Sequence, residues 1–134
     1  MSQYIFVTKI VNTGNHMVTT NSSHRFIDNP LNCPLTRTMS IVGGKWKPII
    51  LSVIGDRAIR FGKINQLIPA ISNKVLANEL KELEMYGLVK RKELPPRVEY
   101  ELTAAGLSLM PILHSLAIWG NSNIAKKIIR KGIL

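Results

Sequence analysis

Apolar residues recur at helical spacing through most of this chain, and most regularly between Ser72 and Tyr86. That segment carries a stripe of three leucines, as one buried helix face requires: Leu76, Leu80 and Leu83. Ser72 suits the N-cap, because its hydroxyl can accept a hydrogen bond from a first-turn amide. Gly87 suits the stop, since glycine adopts the left-handed conformation at little cost. The pattern predicts a helix over 72–86.

Immediately after this helix, apolar and polar residues alternate, a period of two that is typical of a β-strand. Val89 alternates with Lys90, and farther on the apolar residues Val98, Tyr100 and Leu102 alternate with glutamates. Pro95 and Pro96 lie between the two runs, and proline cannot donate to a β-ladder. The pattern predicts two half-buried strands joined by a proline turn.

Further helices are predicted before and after this region. The first opens at Cys33-Pro34, carries Leu35, Met39 and Val42 on one face, and ends at Gly43-Gly44. Next come a helix over Lys45–Gly55, a short strand at Arg60-Phe61, and a helix over Gly62–Ile68 with Ile64, Leu67 and Ile68 facing inward. Thr103 caps a long helix to about Gly120, whose apolar stripe is Leu109, Ile112, Leu113, Leu116 and Trp119. Because a small core does not need all of this stripe, we expect part of it to contact a second subunit.

The resulting fold class is mainly α with a small β-hairpin wing (α+β), that is, a winged helix-turn-helix. We divide the chain into a flexible N-terminal arm at 1–32, a winged helix-turn-helix domain at 33–120, and a basic helix or tail at 121–134.

The helix at 72–86 has a front without acidic residues in its N-terminal half. At about 100° per residue, five side chains fall within an arc of roughly 140° that faces away from the leucines: Asn73, Lys74, Ala77, Asn78 and Lys81. Glu79 and Glu82 lie on the flanks. Amides can pair with adenine edges, and lysines with guanine or phosphate. We therefore select these five residues and Ser72 as DNA-binding candidates, against the alternative of a plain solvated face.

The predicted hairpin adds a second basic group: Lys90, Arg91, Lys92 and Arg97. A wing of this kind lies along the DNA backbone or in a minor groove, so these residues are candidate phosphate contacts.

Composition agrees with a polyanionic partner. The 134 residues contain 18 Lys and Arg against 8 Asp and Glu, a formal net charge of +10. A single cysteine excludes an internal disulfide, and no apolar run approaches the ~18 residues of a membrane span. We expect a cytoplasmic protein without cofactor, metal or membrane association.

Five segments together resemble the HxlR-type winged-helix regulators, relatives of MarR. They are CPLTRTMSIVGGKWKPIIL from Cys33, RF at Arg60, GLVKR at Gly87, PPRVEYELT at Pro95 and LAIWG at Leu116. The resemblance covers Cys33–Gly120, and GGKW followed by PPRVEY is its specific part. It implies a DNA-binding transcription factor that dimerises through its terminal helices. The Lys-Glu-Leu segment before Pro95 is shorter than is typical of the family, and the N-terminal arm is longer.

Cys33 is a candidate redox sensor. Its place at a helix N-terminus favours the thiolate, and the resemblance aligns it with a cysteine that some family members use as a switch for oxidants or electrophiles. The alternative is a small packing residue, since cysteine is often buried. A small electrophile or oxidant is accordingly a candidate partner, besides double-stranded DNA and a second copy of the chain.

Three other functions compete with sequence-specific regulation. Catalysis needs a nucleophile or an acid–base pair in a pocket, but the three histidines are scattered along the chain. A sequence-neutral architectural or RNA-binding protein is the main alternative. RNA readers expose aromatic side chains, whereas Trp46, Phe61, Tyr100 and Trp119 occupy apolar-patterned positions and are predicted to be core. A winged helix that binds only protein is the third.

Overall fold

The computed structural model describes residues 29–124. These residues fall into two units, one ending at Gly43 and one beginning at Gly44. The predicted arm at 1–32 lies almost entirely outside the described residues, and so does the basic part of the tail, including Lys126, Lys127, Arg130 and Lys131.

The first unit contains a 3-10 turn over Pro30–Asn32 and helix α1 over Pro34–Val42. Cys33 is the residue before α1, and Pro34 lies in its first turn, where a missing amide hydrogen costs nothing. The amide of Gly43 donates to Met39 O at 2.7 Å and ends the helix. The predicted start and end of this helix are therefore confirmed.

The second unit is a helical domain with a three-stranded antiparallel sheet. Its elements are α2 (Lys47–Ile54), β1 (Ile59–Arg60), α3 (Phe61–Leu67), α4 (Asn73–Met85), β2 (Val89–Leu94), β3 (Arg97–Leu102) and α5 (Ala104–Asn123). The strand order is β1-β3-β2. The α+β winged helix-turn-helix prediction is confirmed: α3 and α4 form the helix-turn-helix, and β2–β3 form the wing.

One apolar core joins these elements. Its members are Ile50, Leu51, Ile54, Ile59, Ile64, Ile68, Ile71, Leu76, Leu80, Leu83, Val89 and Leu102. All three leucines predicted on the inner face of α4 are at most 1% exposed. The predicted leucine stripe is therefore what holds α4 against the domain.

Two predicted core positions are wrong. Leu67 is 44% exposed. The side chains in and just after α3 that pack on the core are Phe61, Ile64 and Ile68. At 100° per residue, the mean direction of these three side chains lies roughly 90° from that of Leu67, so Leu67 points away from the core. Trp119 is 59% exposed, because it lies near the end of α5, beyond the part that packs on the core.

Element bounds differ slightly from the prediction. The short strand is Ile59–Arg60 and Phe61 begins α3, while α2 begins at Lys47 and α5 runs on to Asn123. Such shifts are expected at element ends, where backbone hydrogen bonds are incomplete.

Candidate nucleic-acid interface

The start of α4 is held by two side chains. Ser72 Oγ accepts a hydrogen bond from Val75 N at 3.2 Å, which confirms the predicted N-cap. The amide nitrogen of Asn65, on α3, donates to Ile71 O at 3.3 Å. The turn of the helix-turn-helix is therefore fixed from both helices.

The outer face of α4 is open to solvent. Every residue that the sequence selected there is exposed: Ser72, Asn73, Lys74, Ala77, Asn78 and Lys81. Within residues 29–124, Lys74 and Lys81 make no ion pair. The face therefore offers amide groups and unneutralised ammonium groups together, as base and phosphate contacts require.

The two glutamates beside this face, Glu79 and Glu82, form ion pairs with a lysine of the neighbouring helix α2. Lys47 Nζ, at the start of α2, lies 2.8 Å from Glu79 Oε2 and 2.6 Å from Glu82 Oε2. Burial by itself would lower the pKa of Lys47, but the hydrogen bonds to the two glutamates outweigh burial and raise that pKa above its usual value. The charges of Glu79 and Glu82 are thus compensated from inside the protein.

The wing is an antiparallel hairpin with Val89 opposite Leu102 and Leu94 opposite Arg97. Pro95 and Pro96 form its turn, as predicted. The alternation puts Val89 and Leu102 in the core, while Lys90 and Lys92 share one face with Glu101.

Three of the four predicted wing cations already have acidic partners. Glu101 accepts hydrogen bonds from Lys92 at 2.8 Å and from Lys90 at 2.9 Å, and these keep the pKa of its carboxyl below the usual value. Arg91 pairs with Glu93 on the same strand. Arg97 alone of the four forms no ion pair with another residue in the described part of the chain. The wing therefore has less free positive charge than its sequence suggests.

Part of helix α5 leaves an apolar face that no other side chain among residues 29–124 covers. Leu109 and Leu113 pack against the core, but Ile112, Leu116 and Trp119 are 57%, 50% and 59% exposed. At 100° per residue these three side chains lie within about 60° of one another, so they form one continuous strip.

Cys33 is partly exposed and has no disulfide partner. Hydrogen bonds from the backbone and side chain of Thr36 lower the pKa of the Cys33 thiol, and the positive charge of Arg37 lowers it further. A helix N-terminus stabilises a thiolate in the same direction. The structure thus confirms the position at the start of α1 but does not test a sensing role.

Among residues 29–124, no group of three or more His, Cys, Asp or Glu side chains is arranged to hold a metal ion. In the same range, no helix is long and apolar enough to cross a membrane.

The partner of the two flanking glutamates was not predicted from the sequence. Glu79 and Glu82 lie beside the exposed face, as expected, but neither they nor Lys47 had been assigned a role. The available signal was the spacing of three between the two acids, which puts them on the same side of a helix. Nothing in the sequence indicated which distant cation would reach them.

Comparison with known proteins gives one family. Residues 41–128 match the sequence model of the HxlR-like helix-turn-helix family. An uncharacterized HTH-type transcriptional regulator of Halalkalibacterium halodurans is 45% identical over 101 residues, which cover 72% of this chain and 89% of that protein.

Solved structures agree with this result. A MarR-family transcriptional regulator structure from Porphyromonas gingivalis superposes with a TM-score of 0.68 at 42% identity, over 75% of this chain and all of that chain. The redox regulator HypR, in its reduced form, superposes with a TM-score of 0.62 at 39% identity, over 67% of this chain and 92% of that one.

Proposed function

Because the chain belongs to the HxlR-like helix-turn-helix family of transcriptional regulators, we propose that it binds a pseudo-palindromic DNA operator as a homodimer. The observation that carries the proposal is the outer face of α4. Its amides and lysines are exposed, and the neighbouring glutamates are held by Lys47. In this proposal α4 enters the major groove of DNA. The protein would act in the cytoplasm.

The six α4 candidates divide by chemistry. Asn73 and Asn78 would read base edges, while Lys74 and Lys81 would contact guanine or phosphate. Ser72 and Ala77 are small, so they allow close approach of the backbone to the groove. On the wing, Arg97 is the leading phosphate contact, and Lys90, Arg91 and Lys92 would have to exchange a carboxylate partner for phosphate.

The proposed dimer uses the exposed strip of α5. Three large apolar side chains in a row on one helix favour burial against an equivalent surface, and a two-fold arrangement is the common solution. Paired α4 helices would then contact half-sites about 34 Å apart, one turn of DNA.

We further propose that Cys33 is the site at which an oxidant or electrophile acts on this regulator. Support comes from the lowered pKa of its thiol and from the similarity to a redox regulator. Since Cys33 is the chain's one cysteine, the oxidised form would be a bridge to a second subunit, a mixed disulfide or a sulfenic acid.

Selection from a pool of random DNA duplexes tests the main proposal. We expect the wild-type protein to enrich a sequence with two inverted half-sites, and a footprint on that duplex to span both. Enrichment of no sequence, with equal affinity for all duplexes, would instead establish the sequence-neutral architectural function.

A further inference from the structure

Two lysines lie on either side of Trp46 where α2 begins: Lys45 precedes the helix and Lys47 is its first residue. Their surroundings differ. Lys45 is exposed, and its ammonium lies 5.5 Å from the centre of the Trp46 ring. Lys47 has a side chain only 11% exposed, and its ammonium lies between two carboxylates of α4. The second lysine therefore connects two helices, whereas the first does not.

The carboxylates that Lys47 holds directly follow two of the proposed base-reading residues. Glu79 follows Asn78, and Glu82 follows Lys81. Neighbouring residues of a helix differ by a fixed rotation of about 100°, so holding the glutamates fixes the direction of Asn78 and Lys81 as well. The leucine stripe sets which side of α4 faces the core, and the two ion pairs of Lys47 add a second attachment on the flank of the helix, next to the exposed face.

A small rotation would matter for base recognition. A side chain reaches about 5–6 Å from the helix axis, so a 15° rotation moves its end by about 1.5 Å. The donor–acceptor distance of a hydrogen bond to a base edge can vary by only about 0.5 Å before the bond is lost. Such a rotation would break a bidentate contact, yet it would leave general attraction to phosphates nearly unchanged.

We propose that Lys47 is a positioning residue for operator recognition: it fixes the rotation of α4 through Glu79 and Glu82 and sets sequence preference without touching DNA. The inference rests on the proposed function, because it requires that α4 read a preferred sequence.

The experiment compares Lys47→Met with Lys45→Met. Both changes remove one positive charge near the start of α2, and methionine at 47 keeps the apolar packing of the lysine stem. The probes are the duplex selected by wild-type protein and a scrambled duplex of equal length, and affinities are measured over a salt series. A third protein, the exchanged pair, carries Lys47→Glu with Glu79→Lys and restores one cross-helix ion pair. It also carries Glu82→Gln, because the carboxylate of Glu82 would repel a glutamate at position 47.

We expect Lys47→Met to lower the ratio of selected to scrambled affinity roughly 10-fold, within the range for losing one bidentate base contact. Lys45→Met should leave that ratio unchanged, and the exchanged pair should recover most of it. Thermal melting followed by circular dichroism shows separately whether each variant folds. If Lys47→Met does not fold, the inference is tested by the exchanged pair alone, which either keeps or loses the ratio of selected to scrambled affinity.

Three results would overturn the inference. One is an unchanged ratio in a folded Lys47→Met protein. Another is a salt slope reduced by about 0.9 relative to Lys45→Met, which would make Lys47 a phosphate contact. The third is an exchanged pair that folds but shows no recovery. Absence of any sequence preference in wild-type protein is a distinct outcome, since it removes the proposed function itself.

Discussion

The hydroxyl of Thr103 donates a hydrogen bond to the backbone carbonyl of Gly87 at 2.6 Å. The same oxygen accepts from Gly106 N at 3.1 Å and caps helix α5. Gly87, at φ +74°, ends helix α4. One side chain therefore joins the end of the proposed recognition helix to the start of the proposed dimerisation helix.

Gly106 allows the first turn of α5 to approach the backbone that follows α4. A Cβ at position 106 would lie 2.2 Å from Leu88 O, so the first turn of α5 rests directly on the backbone that follows α4. A displacement of α5 at the proposed dimer interface would therefore have to be accommodated at this junction.

Thr103→Val should destabilise the protein by about 1–2 kcal/mol, because it removes a cap and leaves the Gly87 carbonyl without its side-chain donor. Thr103→Ser keeps the hydroxyl and is the matched control. Urea unfolding followed by circular dichroism measures both. Equal midpoints for the Val variant and wild type would show that the hydroxyl contributes nothing.

Asn78→Ala should relax base preference at one position in each half-site. The expected loss is about 1–3 kcal/mol if Asn78 makes a bidentate base contact. Glu84→Ala is a useful control, since Glu84 is exposed on the last turn of the same helix. Repeating the duplex selection with each variant measures the effect, and unchanged selection by Asn73, Asn78 and Lys81 variants would remove α4 from base recognition.

Arg97→Ala should lower the slope of log affinity against log salt by about 0.9, since Arg97 is a wing cation without an acidic partner in the described structure. Lys90→Ala should lower it less, because Glu101 already compensates that lysine. A slope that Arg97→Ala leaves unaltered would mean that the short wing does not reach the duplex.

Leu116→Glu should convert the proposed dimer to a monomer, because it places a charge in the middle of the exposed apolar strip of α5. Asn121→Glu adds the same charge roughly opposite that strip on the helix and should leave the dimer intact. Sedimentation at micromolar concentration distinguishes the two. Wild-type protein that is monomeric both free and on DNA would contradict the dimer proposal.

Cys33 should react at lower pH than an ordinary thiol. Its pKa lies below the usual value, so the thiolate fraction, and with it the rate of alkylation by iodoacetamide, rises at a lower pH than for a free cysteine. The rate measured against pH, with Cys33→Ser as the blank, checks this. A rate that follows the profile of free cysteine would contradict it.

Modification of Cys33 should also change operator binding. A quinone adds to the thiolate through a new sulfur–carbon bond, whereas diamide takes two hydrogens from two thiols and leaves a disulfide. We expect either reagent to weaken or alter operator binding by wild-type protein and not by Cys33→Ser. Equal responses from the two proteins would leave Cys33 as a packing residue.

Local sequence determined most elements of this protein. The leucine spacing and the Ser72 and Gly87 ends specify α4, because period and capping act within a few residues. The alternation around Pro95-Pro96 specified the wing, and the six α4 candidates could be chosen because exposure follows from facing away from the leucines.

Tertiary structure alone decided which charges are free and which apolar residues are covered. Lys47 is 32 residues from Glu79 in sequence, and Lys92 meets Glu101 only because the hairpin register brings them together. Leu67 is exposed because the inward direction of a helix depends on what packs against it, and Trp119 is exposed because the end of α5 extends beyond the core. Periodicity shows that a side chain lies on a face, but the partner on that face depends on contacts between residues far apart in the chain.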